Sequence, residues 1–306
     1  MKTLGILKST SISADALSLL ETRFHVKIVS KAAEDIADCD ILWAGLDEYV
    51  DRKCLEKAHK LEAIATPATG HTHLDVVFLA SRGVRIESFH GRTHLLKDVR
   101  ATAEHTLGLM LAILRRLPAA HRAVCSGSWE REKFRGLEIF GKRIGVVGFG
   151  RLGRLVADYV TCLGAQVVVY DPFVHADAFQ NVSLEILLQT ADLVTLHAAL
   201  REDNRRMIGR REISLMKPGA FLVNTARGEL VDEVALLESL QNGRLGGAAL
   251  DVLDEEYKTR QRNDPLLEYA RTHDNLIVTP HIGGMTVESR EKTDMILAEI
   301  LCGLVT

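Results

Sequence analysis

The chain has 306 residues, which is more than one ordinary domain needs and enough for two. Hydrophobic residues make up 47% and charged residues 26%, the composition of a globular protein with a full core. The formal net charge is −3, with Lys and Arg spread along the chain, whereas a nucleic-acid-binding protein usually carries a basic patch. We therefore expect no nucleic-acid partner.

Targeting and membrane segments are not expected. Residues 1–10 hold too short an apolar run for a signal peptide, and the apolar stretch at 107–117 contains Arg115 and Arg116. The 5 cysteines are widely spaced and never form a C-x-x-C pair. This spacing indicates reduced, buried thiols in a soluble cytoplasmic protein, not a disulfide framework or a zinc site.

The first third of the chain alternates strands and helices, as in a parallel α/β sheet. The predicted strands are 4–7, 26–29, 41–44, 63–65 and 84–87. Helices are predicted at 14–22 and 51–59, and one long helix is predicted at about 101–124.

A second alternating series begins at residue 144, and six parallel strands with crossover helices make a complete dinucleotide-binding domain. The amphipathic helix at 286–306 has no further strand to serve, so we expect it to return to the first domain. The predicted fold is α/β, with two doubly wound parallel-sheet domains: a Rossmann cofactor domain at 99–285 inserted in a flavodoxin-like substrate domain at 1–98 plus 286–306. The predicted strands of the second series are 144–147, 167–170, 193–196, 221–224, 247–251 and 276–278.

The segment IGVVGFGRLG at 144–153 is a buried strand that runs into G-x-G-x-x-G and the start of a helix. The first glycine permits the tight turn, the second lets the backbone approach a pyrophosphate, and the third allows close packing of helix on strand. The helix N-terminus faces the phosphates. The candidate phosphate-binding residues are Gly148, Gly150, Arg151, Leu152 and Gly153.

Asp171 ends the next strand, where its carboxylate would accept hydrogen bonds from the adenosine ribose hydroxyls. The same carboxylate would repel a 2′-phosphate, and Pro172 and Phe173 follow it where an Arg would bind that phosphate. NAD is therefore favoured over NADP. His197, after the third strand of this domain, is expected to line the cofactor site through its backbone.

Three more segments place unusual polar residues at the ends of predicted strands. The carboxyl ends of strands in an open α/β sheet face the ligand crevice. We therefore expect Arg227, Glu256 and His281 to converge on the nicotinamide side of the site. The segments are VNTARG at 223–228, ALDVLDEE at 249–256 and VTPHIGG at 278–284.

With these segments in place, the chain resembles the D-isomer-specific 2-hydroxyacid dehydrogenase family, which includes D-3-phosphoglycerate dehydrogenase. The match covers nearly the whole chain, and the order and spacing of its motifs agree. Because the sequence stops at residue 306, we expect the added regulatory domain of some phosphoglycerate dehydrogenases to be absent. The matching motifs are AEHTLG (103–108), GFGRLG (148–153), YDP (170–172), NTARG (224–228), ALDV…EE (249–256) and PHIGG (280–284).

The resemblance implies transfer of a hydride between NAD and a small D-2-hydroxy or 2-oxo acid. His281 is expected to be the general acid in reduction and the general base in oxidation. Glu256 would bind the other ring nitrogen and favour imidazolium, with Glu255 as the competing assignment. Arg227 would bind the substrate carboxylate and polarise the carbonyl.

Other site residues are assigned by the same resemblance. Asp251, Thr225 and Ala226 would hold the carboxamide end of the cofactor. In the family's carboxylate-binding loop, Thr69 and Gly70 would offer backbone N–H groups to the substrate, and no metal site is expected nearby. The remaining cofactor candidates are Thr102, Gly283 and Gly284.

The sequence departs from the family at two places. Thr66 stands where phosphoglycerate dehydrogenases tend to have an Arg, so the phosphorylated acid is not the expected substrate. Tyr257 and Lys258 follow Glu256 where the family often has Pro, which leaves the course of that loop open.

Two alternative functions stay open at this point. One is a formate or phosphonate dehydrogenase on the same scaffold. The other is an NADH-binding sensor without turnover, like the corepressors related to this family. A homodimer is expected, because the predicted helix at 101–124 carries more apolar surface than one domain needs and the family usually pairs through this region.

Overall fold

The computed structural model describes residues 1–256 and 264–305. The chain divides into two compact units. We call Met1–Val99 together with the residues from Met285 onward the terminal unit, and Arg100–Gly284 the central unit.

The described part of the terminal unit contains one parallel sheet. Its strands are Thr3–Leu7 (β1), His25–Val29 (β2), Ile41–Trp43 (β3), Ala63–Ala65 (β4) and Arg85–Glu87 (β5). They lie in the order β2-β1-β3-β4-β5, which is the flavodoxin-like doubly wound order that the sequence predicted. The residues of β3 and β4 are all buried, as expected for strands covered on both faces.

Short helices connect these strands. They are Ala14–Glu21 (α1), Ala33–Ile36 (α2), Arg52–Leu55 (α3) and Val76–Ser81 (α4). The prediction of one helix over 51–59 is wrong, because α3 ends after a single turn. The amide of Ala58 bonds to the oxygen of Leu55, only three residues back, and the chain turns toward β4. The sequence pattern did not predict α2 or α4, which have 4 and 6 residues.

The central unit is built on a longer parallel sheet. Its described strands are Arg143–Val147 (β6), Gln166–Tyr170 (β7), Gln180–Asn181 (β8), Leu193–Leu196 (β9), Phe221–Asn224 (β10), Gly247–Leu250 (β11) and Leu276–Val278 (β12). They lie in the order β12-β11-β10-β9-β6-β7-β8, which contains the Rossmann order and confirms the predicted fold class. β8 is an addition to the six predicted strands. Its two residues are polar and exposed, so only pairing with β7 defines it.

The predicted single helix at 101–124 is wrong, because two helices occupy that stretch. Arg116 adopts a left-handed φ of +53° between them, and Pro118 stands in the first turn of the second helix, where its missing N–H is tolerated. The described helices of this unit are Ala101–Leu114 (α5), Leu117–Cys125 (α6), Arg151–Cys162 (α7), Leu184–Thr190 (α8), Arg210–Leu215 (α9), Glu233–Gln241 (α10) and Pro265–Thr272 (α11).

The last helix, Val287–Leu301 (α12), returns to the terminal unit, as predicted. It packs against α1 and β5. Leu297 and Ala298 are fully buried in the same cluster as Leu4 and Trp43. Among residues 1–256 and 264–305, no helix combines the length and the apolar character that crossing a membrane requires.

The cysteines are free, as expected, but they are not all buried. Cys39 and Cys54 lie in the core of the terminal unit. Cys125 and Cys162 are exposed at the ends of α6 and α7, so the prediction of uniformly buried thiols is wrong.

Candidate active site

The loop after β10 carries Arg227 and is shaped by the side chain of Asn224. Asn224 is buried, its Nδ2 donates to the oxygen of Arg227 at 2.8 Å, and its Oδ1 accepts the amide of Ala226 at 3.0 Å. Both ends of the side-chain amide therefore hold the loop backbone. Arg227 is half-buried, and its Nη1 donates to the oxygen of Ala226 at 2.6 Å.

Gly228 brings this loop against the loop after β11. A Cβ at Gly228 would lie 1.9 Å from the carbonyl carbon of Leu253 and 2.2 Å from the amide nitrogen of Asp254. No side chain fits in that space. The close approach therefore places the backbone next to Arg227 directly on the segment that leads to Glu256.

Asp251, at the end of β11, organises the turn that carries His281. Its buried carboxylate accepts the Ile282 amide at 2.9 Å and the Gly283 amide at 2.7 Å, and its carbonyl accepts the His281 amide at 2.8 Å. Burial acts to raise the pKa of this carboxyl, but hydrogen bonds from His105, Thr279 and the Ile282 amide outweigh it and lower the pKa. Asp251 is therefore a charged acceptor around which the turn is wrapped.

His281 and Glu256 form a direct pair. His281 Nδ1 lies 2.6 Å from Glu256 Oε1, and the two side chains are 22% and 20% exposed. His281 adopts a left-handed φ of +54°, which few non-glycine residues do without support from their surroundings. The partner of the histidine is thus Glu256, while Glu255 occupies its own left-handed position at φ +49°. Tyr257 and Lys258 lie outside the described residues.

Two residues in this network were not singled out from the sequence. His105 Nε2 lies 3.2 Å from Asp251 Oδ1 and 3.2 Å from Thr279 Oγ1. Thr279 Oγ1 in turn donates to Asp251 Oδ1 at 2.6 Å. The motif AEHTLG contains His105, but nothing local shows that its ring meets a residue far along the chain.

The glycine-rich turn after β6 has the form that a dinucleotide phosphate needs. Gly148 adopts φ +91°, and a Cβ there would lie 2.5 Å from the Ala198 amide nitrogen. A Cβ on Gly153 would lie 2.1 Å from the oxygen of Gly148, so the helix packs directly on the turn. Gly150 has nothing within 4 Å of its Cβ position and is the N-cap residue of α7. An open, bare backbone at a helix N-terminus fits a pyrophosphate. Arg151 and Leu152 stand in the first turn of α7.

Asp171 follows β7 and bridges two turns. Its Oδ2 accepts the Phe149 amide at 2.7 Å, and its Oδ1 accepts the amides of Phe173 at 2.8 Å and Val174 at 3.1 Å. A carboxylate oxygen can accept a second hydrogen bond, so these contacts leave acceptor capacity for ribose hydroxyls. They also fix the acid beside the glycine-rich turn, which fits the adenosine half of NAD.

His197 follows β9 at the same edge of the sheet. Its amide donates to the oxygen of Val147 at 2.7 Å, and its Nε2 lies 3.0 Å from Thr195 Oγ1. Burial lowers the pKa of the ring to about 4, so the imidazole is neutral at pH 7. Its contact with the glycine-rich turn is made through backbone atoms, next to Gly148.

The remaining cofactor candidates lie around the Asp251 network. Thr225 is buried, and its Oγ1 lies 2.7 Å from Thr106 Oγ1. Thr102 packs on Gly283, where an added Cβ would lie 3.1 Å from Thr102 Cγ2. Ala226 is half-buried, and the Cβ position of Gly284 is open.

The substrate candidates Thr69 and Gly70 lie in the terminal unit, after β4. Thr69 is exposed and Gly70 is half-buried. The histidines that follow them point to different partners: His71 Nε2 lies 2.8 Å from Ser88 Oγ, and the buried His73 has its Nε2 2.9 Å from Thr66 Oγ1.

Comparison with known families and proteins agrees with this geometry. Residues 107–283 match the family described as D-isomer specific 2-hydroxyacid dehydrogenase, NAD binding domain. The D-3-phosphoglycerate dehydrogenase of Methanocaldococcus jannaschii is 35% identical over 305 residues, covering 96% of this chain and 56% of that protein. The chain thus spans about half the length of this relative. The glyoxylate reductase of Thermococcus litoralis is 34% identical over 88% of this chain and 81% of its own length.

Comparison with solved structures indicates the same family. The D-lactate dehydrogenase of Aquifex aeolicus, solved with NAD and lactic acid, superimposes with a TM-score of 0.82 at 26% identity, covering 98% of this chain and 94% of that one. The TT0316 protein of Thermus thermophilus has a TM-score of 0.83 at 30% identity, with 98% and 96% coverage. The chain therefore belongs to the D-isomer specific 2-hydroxyacid dehydrogenase family, and its central unit contains the family's NAD-binding domain.

Proposed function

We propose that this protein is an NAD-dependent dehydrogenase that interconverts a small D-2-hydroxy acid and its 2-oxo acid. The observation that carries the proposal is the 2.6 Å contact between His281 Nδ1 and Glu256 Oε1, in the unit that binds NAD. An imidazole held by a carboxylate is suited to donate and recover a proton near neutral pH. In this proposal the central unit binds the cofactor and the terminal unit binds the substrate.

NAD supplies or accepts the hydride, and the protein's own residues handle the proton and the carboxylate. Because His281 Nδ1 binds Glu256, Nε2 is the nitrogen that gives a proton to the carbonyl oxygen in reduction. The same atom takes the proton back in oxidation. We propose that Arg227 binds the substrate carboxylate and polarises the carbonyl through charge-assisted hydrogen bonds. The backbone amides of Thr69 and Gly70, in the terminal unit, are proposed to contribute to substrate binding.

The proposed substrates are small, unphosphorylated 2-oxo acids such as glyoxylate, pyruvate or hydroxypyruvate. Thr66, which stands where phosphoglycerate dehydrogenases tend to have an Arg, is fully buried and bonded to His73. A buried neutral hydroxyl gives no charge for a phosphate. The resemblance to a glyoxylate reductase over 88% of the chain supports the same substrate class.

The test is NADH oxidation, followed by absorbance, against a panel of these acids together with 2-oxoglutarate, phenylpyruvate and 3-phosphohydroxypyruvate. Turnover of a small acid should fall by a factor of about 10² to 10⁴ in His281→Ala, because the general acid is lost. The NADH affinity of that variant should stay within about twofold, because the glycine-rich turn is intact.

The other possible outcomes of the substrate panel each favour a different function. Tight NADH binding without turnover of any acid would contradict the proposal and favour a sensor. Reduction of NAD by formate or phosphonate, with no activity on the acids, would favour the other dehydrogenase class. A preference for 3-phosphohydroxypyruvate would contradict the proposed substrate class while leaving the reaction type standing.

We also propose a cytoplasmic homodimer. Apolar side chains are exposed along α6 and just after it, with Leu117 at 53%, Val124 at 48% and Trp129 at 84% exposure. Apolar exposure of this kind is typical of a surface that another protein covers. The free thiols fit a reducing compartment. Light scattering at micromolar concentration should give twice the mass of one chain, and a monomer would contradict the dimer.

A further inference from the structure

The segment between Asp251 and Glu256 needs support from outside itself. It leaves β11, contains the left-handed Glu255, and ends at the carboxylate that meets His281. A left-handed conformation at a non-glycine residue is unfavourable unless the surroundings hold it. The position of Glu256 therefore depends on the contacts that fix the backbone just before it.

Glu233 makes one of these contacts. Its Oε1 accepts the backbone amide of Asp254 at 2.7 Å, two residues before Glu256. Gly228 approaches the same backbone, at Leu253 and Asp254, so closely that no side chain fits. The segment is thus contacted by a glycine and a carboxylate that both come from the stretch after β10.

The hydrogen bond is not part of the helix cap of α10. Asp232 is the capping residue, and its Oδ1 accepts the amides of Val234 and Ala235, each at 3.1 Å. Glu233 stands one residue further on and turns its carboxyl toward Asp254 instead. The contact therefore serves the loop and not the start of its own helix.

The surroundings of Glu233 argue against a role in stability alone. Burial, together with the carboxylates of Asp264, Asp254 and Glu229, raises the pKa of Glu233 to about 7, against the lowering effect of the Asp254 amide. Among the described residues, Arg205 and Arg206 lie 4.0 and 3.7 Å from the Asp254 carboxylate. A carboxyl group surrounded by other carboxylates adds little to the stability of the fold. The Glu233 oxygen is nevertheless well placed to accept the Asp254 amide.

We propose that Glu233 is a positioning residue for the proposed reaction: by holding the Asp254 amide, it keeps Glu256 in contact with His281. This inference rests on the proposed function. Glu233 acts through the loop and does not touch the substrate, so its removal should disturb proton transfer and leave NADH binding unchanged.

The decisive variants are Glu233→Met, which fills similar space without an acceptor, and Glu233→Gln, which keeps an acceptor oxygen without the charge. In the Met variant, kcat should fall about tenfold, the size of one lost hydrogen bond to a charged group, and the KM for NADH should not change. The Gln variant should stay within about threefold of the native kcat, because a neutral acceptor is weaker but present.

The matched control is Glu238→Met on the same helix. The Glu238 side chain is 43% exposed and pairs with Arg210 at 2.9 Å. It should behave like the native protein in every measurement. Thermal unfolding shows which of the variants are folded. If Glu233→Met is not folded, Glu233→Ala replaces it. The Gln variant is compared with the native protein by the same measurements.

A readout without turnover separates this inference from the proposed function. The NMR signal of the proton between His281 Nδ1 and Glu256, assigned with His281→Gln, should persist in the Gln variant and be lost or broadened in the Met variant. An unchanged signal in Glu233→Met would overturn the inference, and so would equal defects in the Met and Gln variants. If no 2-oxo acid is turned over, the proposed function fails, while this signal still decides the role of Glu233.

Discussion

Single residues set the spacing of the loops around His281. Gly228 does so by lacking a side chain, Asn224 by bonding two backbone groups of its own loop, and Asp251 by collecting amides from the turn at 281–283. Each acts on backbone, so each limits where the neighbouring functional side chain begins. The catalytic candidates thus depend on residues that carry no reactive group.

At this scale we predict that Gly228→Ala is strongly destabilising. Its new Cβ would overlap the backbone of Leu253 and Asp254, which cannot move aside as a flexible side chain can. Chemical denaturation should show a loss of about 3 kcal/mol, the upper part of the range for overpacking.

Gly108→Ala is the control for this substitution. Gly108 lies in α5 with nothing within 4 Å of its Cβ position, so Ala should stabilise the protein by about 0.5–1 kcal/mol. If Gly228→Ala were as stable as native protein, the proposed close approach of the two loops would be wrong.

At the scale of elements, two loops of the central unit contact each other, and the start of α10 contacts one of them. The loop after β10 and the loop after β11 meet at Gly228, and α10 reaches the second loop through Glu233. This arrangement buries the Glu233 carboxyl, which affects the stability of the protein as well as the position of the loop after β11.

We predict that Glu233→Gln stabilises the protein above pH 7 and not near pH 4. The folded-state pKa of about 7 lies above the unfolded value of about 4.3, so the folded protein binds this proton more tightly. Stability from this group is therefore complete at or below pH 4.3 and falls as the pH rises through 7. Gln does not ionise, so its advantage should grow over that interval to on the order of 2 kcal/mol, less than the full shift because the group is partly exposed.

The measurement is the free energy of unfolding of both proteins from pH 4.5 to 8.5. Other groups that titrate in this range contribute equally to the two proteins, so their contributions cancel in the difference. A difference in unfolding free energy that is constant with pH, or that shrinks as the pH rises, would show that the pKa of Glu233 is not raised in the folded protein.

At the scale of the whole molecule, the terminal unit is assembled from both ends of the chain. α12 completes a core that begins with β1, and Leu297 is fully buried there. The central unit has its own core around β6 and α7. The two cores contain different residues, so damage to one should be seen mainly in that unit.

We predict that Leu297→Ala costs the terminal unit about 3 kcal/mol, the usual loss for a large buried side chain. Hydrogen exchange should speed up in β1 and α1 while β6 and β10 keep their protection. Leu304→Ala is the control, because Leu304 is 55% exposed and should change stability by less than about 0.5 kcal/mol. Equal loss of protection in both units would mean that they unfold as one.

Local sequence patterns predicted much of this protein. Apolar runs of three to five residues marked the strands, and their alternation with helices indicated doubly wound sheets. The glycine-rich turn followed by a helix, and Asp171 at the end of the next strand, pointed to NAD. Each of these features lies within a few dozen consecutive residues, so its physical cause can be read from the chain itself.

Other features exist only because distant residues meet. β8 has no apolar pattern and is a strand only through its pairing with β7. His105 lies 174 residues from Thr279 in sequence, and nothing in either segment shows that their side chains bond.

By itself, then, the sequence determined the strands, the phosphate-binding turn and the residue types that the chemistry needs, because these depend on neighbours along the chain. Only the tertiary structure decided that Glu256 and not Glu255 meets His281, that Gly228 must remain bare, and that Glu233 holds the loop. The reason is physical: burial, close approach and hydrogen-bond partners across loops are set by packing between segments, and a local pattern contains no information about them.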